Sequence, residues 1–484
     1  MIDFRPILFM IGVILLVLAA AMIIPVAADL LGDADDWLTF VLSALITAFV
    51  GALLTLTNRS ESRSLSLRQA FLLCAGGWVA ASIFSALPFI LSPLGVSFVD
   101  AVFEAVSGFT TTGVTVLDEQ TLRRASDGIF MWRALLQWLG GIGIVVMGCT
   151  MLPALRIGGM QIFRTENTNP DSRITPGAPR FVVTLCFIYA GVTAFLIAGL
   201  LLAGVNGLEA VCQAMGAIST GGFSTRDGLV SSVDSLTVDL VLTTGMLIGA
   251  MSFPLYVMMA RGKWSVLAFD QQIRLFLGLI LIGGVITTLW LWLDYGMTPG
   301  YAVRHGFFSA VSVVSGTGFH SLDFGIWPTV PATVLFFLMF VGGCSGSTAS
   351  GVKIFRLHIL TVNAVAQISR ILRPHAVAFP YYNRQPIPDS IVDSVMGFLF
   401  VYFLTLAALV VSLGLLGIDF VTALTAAAST LSNVGISAGP MMQAGGGFSF
   451  LPDTAKWILS AAMLLGRLEL FTFLVLLIPA FWKP

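Results

Sequence analysis

Stretches of about twenty predominantly apolar residues recur along the whole 484-residue chain, and this recurrence restricts the possible folds more than any other feature. A helix needs about that length to cross the hydrocarbon core of a bilayer. Spans are expected at 7–28, 37–57, 69–92, 130–152, 180–204, 236–260, 274–296, 328–350, 390–416 and 456–480. Charged residues make up 10% of the chain, where a soluble domain carries roughly 25%. No soluble domain of ordinary size fits between the spans, so the expected fold is an all-α integral membrane protein with ten transmembrane helices. The first stretch is long and closely followed by a second, which favours a retained span over a cleaved leader.

Ten crossings put both termini on one side. Seventeen of the 24 Lys and Arg fall on that side, six (Arg123, Arg124, Arg133, Arg226, Arg304 and Lys456) on the other, and Arg467 lies within a span. Acidic residues run the opposite way, with Asp100, Glu104 and Asp239 among the seventeen on the far side. The positive-inside rule then places both termini in the cytoplasm. An acidic outer face would concentrate cations, although solubility and topology selection also account for such a bias.

Between alternate pairs of spans lie apolar segments of about a dozen residues, too short to cross, each ending in a small polar and glycine cluster. The clusters are Thr110, Thr111, Thr112, Gly113; Ser219, Thr220, Gly221, Gly222; Ser315, Gly316, Thr317, Gly318; and Ser432, Asn433, Val434, Gly435, each followed by an apolar residue. Gly113, Gly222, Gly318 and Gly435 are 109, 96 and 117 residues apart, room each time for a span, a short helix and another span. One unit therefore repeats four times. Non-helical backbone at membrane depth is tolerated only where it is buried in protein or lines a watery cavity, and four such loops about one axis make a pore. Carbonyls and hydroxyls can replace the water shell of a monovalent cation without trapping it. The carbonyl ends of the four re-entrant helices add negative dipole there. Small residues also serve simple close packing of helices, but four copies at matching positions favour the pore.

At these residues the chain resembles the Trk/Ktr/HKT superfamily of cation transporters, and within it the TrkH/TrkG subunits of bacterial potassium uptake systems. The resemblance runs over essentially the whole length and includes the stretch Gly342, Gly343, Cys344, Ser345, Gly346, Ser347, Thr348 with Lys353, and the ending Gly466, Arg467, Leu468, Glu469. It implies a leading two-helix pair at 1–57 and four M1-P-M2 units arranged pseudo-fourfold around one pore, at 58–155, 156–262, 263–372 and 373–484. It implies potassium as the transported ion, since glycine in all four loops, here including Gly113, goes with potassium and serine in the first with sodium. It implies that Gly342 to Gly351 form a gating loop below the filter, with Lys353 and Arg467 beside it. Ala349 and Ser350 stand where relatives often have glycine, which would stiffen the loop. A homodimer in the bacterial inner membrane and a cytosolic TrkA-type nucleotide-binding ring complete the picture, with no cofactor in this chain.

Arg467 and Glu469 are two positions apart and would face different sides of a helix, so each is expected to pair elsewhere. Cys74, Cys149, Cys186, Cys212 and Cys344 lack metal or disulfide spacing and read as packing residues. His305, His320, His358 and His375 are dispersed, with a surface role at the pore mouth expected for them. Gly140, Gly141 and Gly143 sit in an apolar span without a preceding strand and read as helix-packing positions, not a nucleotide loop. Two other functions remain open. A coupled secondary transporter would carry titratable carboxylates at midplane and inverted repeats, and an intramembrane enzyme would need a nucleophile with its base or clustered metal ligands. Parallel repeats and hydroxyl-lined loops speak for conduction without bond-making chemistry.

Overall fold

Lipid offers no partner to a backbone amide, so long apolar segments close their own hydrogen-bond ladders as helices. The structure is a computed structural model that describes residues 2–34, 36–59, 65–150, 178–225, 235–321, 329–373, 380–383, 385–437 and 447–483. The expected boundary at 155/156 lies outside them, as do Arg226, His375 and several charged link residues. Seven helices among the described residues are long and apolar enough to cross a membrane: Arg5–Leu31, Trp37–Thr57, Leu67–Leu91, Asp127–Thr150, Arg180–Leu202, Gln271–Leu293 and Asp389–Leu415.

The other three expected spans are not continuous helices. The one at 236–260 breaks into Leu236–Ala250 and Phe253–Ala260, bent by 95°. Pro254, which has no amide to donate, stands in the first turn of the second piece. The one at 456–480 bends by 107° between Asp453–Arg467 and Phe471–Leu477, where Glu469 and Leu470 adopt left-handed φ values of 58° and 45°. The one at 328–350 is helical only over Thr329–Met339. The chain then runs as a loop to Ile354–Leu372, a helix in a segment read from sequence as a cytoplasmic link. These three spans are thus corrected from continuous helices to bent or broken ones, and the described residues hold seven helices long and apolar enough to cross a membrane, or up to nine if each bent pair is one span. A second correction to the all-α expectation is a small antiparallel hairpin pairing Tyr381 with Pro386 and Tyr382 with Gln385.

Four times a long helix is followed by a short one, a loop and a further helix. The short helices are Phe98–Phe109, Gly207–Ile218, Pro299–Ser315 and Phe420–Ser432. Ser97 and Asp419 cap the first and fourth, accepting from the amides of Asp100 and Thr422. Bonds to Thr422 hold the Asp419 carboxyl below the usual carboxylate range. The leading pair joins this frame by close contact: a Cβ on Gly12 would lie 2.8 Å from the carbonyl oxygen of Gly51. Buried Asp29 accepts from the amide of Gly128 at 2.5 Å, which keys the pair onto the helix Asp127–Thr150.

Candidate functional site

Each of the four predicted clusters wraps the C-terminus of its short helix in the same way. The amides of Thr112, Gly221, Thr317 and Val434 donate to the carbonyls of Ser107, Gly216, Ser312 and Ser429 at 2.9, 2.9, 2.9 and 3.0 Å. The amides one residue earlier reach Gly108, Ala217, Val313 and Thr430. This is a Schellman closure, which requires a left-handed residue just past the helix. Thr111 (φ 53°), Thr220 (51°), Gly316 (74°) and Asn433 (53°) supply it. Sequence reasoning credited only the glycines two positions later; threonine, a β-branched residue, is uncommon in this conformation, so Thr111 and Thr220 gave no signal.

The later glycines bring the four loops together. A Cβ on Gly113 would overlap the carbonyl oxygen of Gly221, one on Gly222 that of Thr317, one on Gly318 that of Val434, and one on Gly435 that of Thr112, each at well under 3.0 Å. Loop one touches two, two touches three, three touches four and four returns to one. All sixteen predicted loop residues thus lie in or beside one closed ring with a main-chain carbonyl at each junction. Gly140, Gly249 and Gly466 let the following helices press against the carbonyls of Phe109, Ile218 and Leu431, just behind the ring. Packing is therefore the role of Gly140, as expected. The recurrence of a glycine 27 positions after both Gly113 and Gly222 was a readable signal for this set.

Several residues counted from sequence as outer charge are paired, and most of them are buried. Glu104 and Arg133, 0% and 2% exposed, form an ion pair at 2.8 Å. Glu104 also accepts from Thr115 Oγ1 and the amide of Val116, both at 3.0 Å. Arg304 pairs with Asp239 at 2.6 Å and Lys456 with Asp100 at 2.5 Å. The Glu104–Arg133 pair joins the short helix Phe98–Phe109 to the helix Asp127–Thr150 of the same repeat, and the other two join helices of different repeats, so part of the apparent outer acidity is internal bracing. His305 is buried with Nδ1 2.7 Å from Ser321 Oγ, which corrects the surface role expected of it.

The predicted gating residues form a lobe with a narrow neck. The Val352 amide donates to Phe340 at 3.0 Å and Ile354 to Gly343 at 3.1 Å. Gly342 is pressed against Ser350, and a Cβ on Gly343 would lie 2.6 Å from that of Ala349. Beyond the neck, Cys344 donates to Ala250 at 2.8 Å, and Phe253 to Gly346 at 3.0 Å. Thr348 Oγ1 reaches the carbonyls of Gly249 at 2.9 Å and Ile218 at 3.1 Å, and lies 3.2 Å from Thr220 Oγ1 in the second loop of the ring. The lobe therefore fills the bend of the broken helix and touches the ring.

Two cationic contacts fasten it. Arg467 Nη1 donates to the carbonyl of Thr348 at 2.7 Å and to Ser350 Oγ at 2.8 Å. Lys353 donates to Glu469 at 2.8 Å, and Arg356 pairs with the other carboxylate oxygen while lying over the Phe398 ring. Arg467 and Glu469 do pair elsewhere, as expected, though the chain turns out of helix between them. All four residues are buried, each at most 5% exposed. Glu469→Ala would strand two buried cations and is expected to lower stability by about 3–5 kcal/mol, read as an earlier thermal unfolding of the detergent-purified protein; an unchanged midpoint would show the pairing to be dispensable. A second hydrogen-bond chain leaves the lobe on the other side. The Ser345 amide donates to Gln272 Oε1 at 3.0 Å, and Gln272 Nε2 donates to Tyr382 of the hairpin at 2.8 Å.

Spanning helices gathered around a ring of main-chain carbonyls, with a polar lobe packed against that ring, define a membrane transport protein. The chain belongs to the TrkH family, described as cation transport protein, whose match covers residues 38–483. The Trk system potassium uptake protein TrkI of Halomonas elongata is 39% identical over 480 residues, 99% of this chain and 97% of that one. TrkH of the same organism is 37% identical over 487 residues, covering 99% and 100%. The crystal structure of the potassium transporter TrkH from Vibrio parahaemolyticus superposes with a TM-score of 0.92 over 100% of both chains at 31% identity.

Proposed function

We propose that the chain is the ion-conducting subunit of a bacterial potassium uptake system, passing potassium through the ring of four loops and gated by the 342–351 lobe. The observation that carries this reading is the closed ring, in which the carbonyls of Thr112, Gly221, Thr317 and Val434 stand at the four junctions. Those carbonyls and their neighbours are the oxygens that would stand in for the water a potassium ion sheds, and potassium is what the full-length relatives are named for. In this reading a leading pair, 1–57, precedes four units divided at 155/156, 262/263 and 372/373. Each contributes a re-entrant helix, the polypeptide crosses ten times with bent helices included, and both termini face the cytoplasm across the inner membrane.

Lys353 and Arg467 hold the lobe across the path, and a cation there opposes permeation while the lobe is in place. Regulation would come from a cytosolic TrkA-type nucleotide-binding ring, and the chain from Tyr382 through Gln272 to Ser345 offers a route from the hairpin to the lobe. Two pore subunits would assemble as a homodimer. In proteoliposomes, the current is expected to reverse at the potassium equilibrium potential whatever pH or sodium gradient is imposed; a reversal that follows either gradient would replace conduction by coupled transport. Ser350→Ala removes one of the two hydrogen bonds of Arg467 Nη1. Bonds to charged groups contribute about 1.5–3 kcal/mol, so resting rubidium flux is expected to rise several-fold, and unchanged flux would leave Ser350 without a gating role.

A further inference from the structure

The first and third loops of the ring carry hydroxyls at two positions where the second has none. Ser107 and Ser312, six residues before Gly113 and Gly318, donate to the carbonyls of Val114 and Phe319, both at 2.5 Å. Thr112 and Thr317, one residue before those glycines, pair with Thr110 and Ser315 at 2.7 Å. The fourth loop is held through Asn433, whose Nδ2 reaches Thr112 Oγ1 at 2.7 Å and the carbonyl of Met463 at 3.0 Å, and through Ser432, 2.7 Å from the Tyr402 hydroxyl. In the second loop the residues matching Ser107 and Thr112 are Gly216 and Gly221. Its Ser219 hydroxyl turns back onto its own helix, donating to Met215 at 2.7 Å, and its Thr220 hydroxyl donates to the Ser219 carbonyl at 2.7 Å and lies 3.2 Å from Thr348 Oγ1 of the lobe.

A side chain from the preceding unit fills that gap. Gln137, fully buried on the helix Asp127–Thr150, accepts from the amide of Phe223 through Oε1 at 3.2 Å. A Cβ on Gly221 would collide with the Gln137 amide carbon, and one on Gly216 would lie 3.5 Å from Gln137 Oε1. The glutamine thus occupies the volume that Thr112 and Thr317 occupy in their own loops. One turn earlier on the same face, Arg133 donates to the carbonyl of Ser224 at 2.9 Å and lies 4.1 Å over the Phe223 ring, while its partner Glu104 holds Thr115 and Val116 of the first loop.

We infer that Gln137, braced by the Arg133–Glu104 pair, is a positioning residue that sets the geometry of the second loop and through it the discrimination between potassium and sodium. The inference rests on the reading of the ring as the ion path. The second loop has no hydroxyl at the two positions where Ser107 and Thr112 brace the first, and Gln137 is the side chain packed against Gly221 itself, so where the Gly221 carbonyl points, and with it discrimination by the ring, is sensitive to Gln137. The arrangement also explains why Gly221 is glycine although its φ lies outside the left-handed region: the room is taken by Gln137.

The test is a swap of the anchor from one helix to the other, read as the ratio of rubidium to sodium flux in proteoliposomes. Gln137→Ala and the volume-preserving Gln137→Leu are expected to lower the ratio about tenfold, the equivalent of one hydrogen bond. Gly221→Thr alone should collide with Gln137 and also lose discrimination. Gln137→Ala combined with Gly221→Thr restores an anchor within the loop and should recover most of the wild-type ratio. A merely structural glutamine would lower the unfolding temperature and leave the ratio unchanged, which would overturn the inference, as would a double variant no better than Gln137→Ala. Should neither single Gln137 variant accumulate, the ratio of the double variant decides alone. If Gly435→Asp blocks flux while the Gln137 variants keep their ratio, only this inference falls; if Gly435→Asp conducts normally, the ring is not the path at all.

Discussion

Gly435→Asp is expected to abolish growth rescue at low external potassium in a strain lacking its own uptake systems, and to reduce rubidium flux in proteoliposomes to background. Two independent costs act at this residue. Its φ of 86° is one that L side chains rarely adopt, and a Cβ would overlap the carbonyl oxygen of Thr112 and lie 3.4 Å from Gly113 Cα. Relief would require loops one and four to separate, opening the ring at one junction. The carboxylate then adds a fixed charge among oxygens that bind a cation only weakly enough to release it, and conduction needs both entry and exit to be easy. Gly113→Asp meets the same conditions against Gly221, with a φ of 84°. Rescue at wild-type levels by both variants, with the protein present in the membrane, would remove the ring from the transport path. Partial rescue by one alone would mean that the four junctions are unequal.

The loops were legible because their chemistry repeats. A helix C-terminus followed by a left-handed residue and then by a glycine at a close junction leaves polar and glycine residues at fixed offsets in an apolar chain, and four copies stand out. The bends were not legible, because the apolar stretch resumes after Ser252 and after Glu469, and backbone that turns inside protein looks like backbone that continues as helix. Only the glycines of 342–351 gave a break away. Ile354–Leu372 was read as a link because its apolar residues share the segment with Lys353, Arg356, Arg370 and Arg373, and hydropathy averages over faces that the fold separates. Charge counting fails differently: Glu104 counts as outer by its place between spans and Arg133 by its place at the outer end of the span 130–152, and nothing in a single sequence shows that two opposite charges 29 positions apart meet in the interior. Gln137 was silent for the same reason. Its role follows from what Gly216 and Gly221 lack, which becomes meaningful only once the four loops are compared as one structure.

Removing the tip of the lobe, Cys344 to Thr348, and bridging Gly343 to Ala349 with a single glycine is expected to raise resting potassium flux by at least about tenfold, equivalent to about 1.4 kcal/mol of barrier. The neck makes this deletion feasible. Gly343 and Ala349 already face each other, and the bonds from Val352 to Phe340 and from Ile354 to Gly343 lie on the far side of the cut. The helix Ile354–Leu372 and the Lys353–Glu469–Arg356 cluster therefore keep their places. What disappears is the material between the ring and the bend at Ala250, including the Thr348 carbonyl that holds Arg467. Arg467 keeps Ser350 as its partner and loses the contact that draws it toward the ring, so the steric and electrostatic parts of the obstruction weaken together. Control by any cytosolic partner acting through Tyr382 and Gln272 should vanish at the same time, because Ser345, the last link in that chain, is gone. Flux unchanged by the deletion, in a variant that still fails when Gly435→Asp is added, would show that ions pass the ring without meeting the lobe.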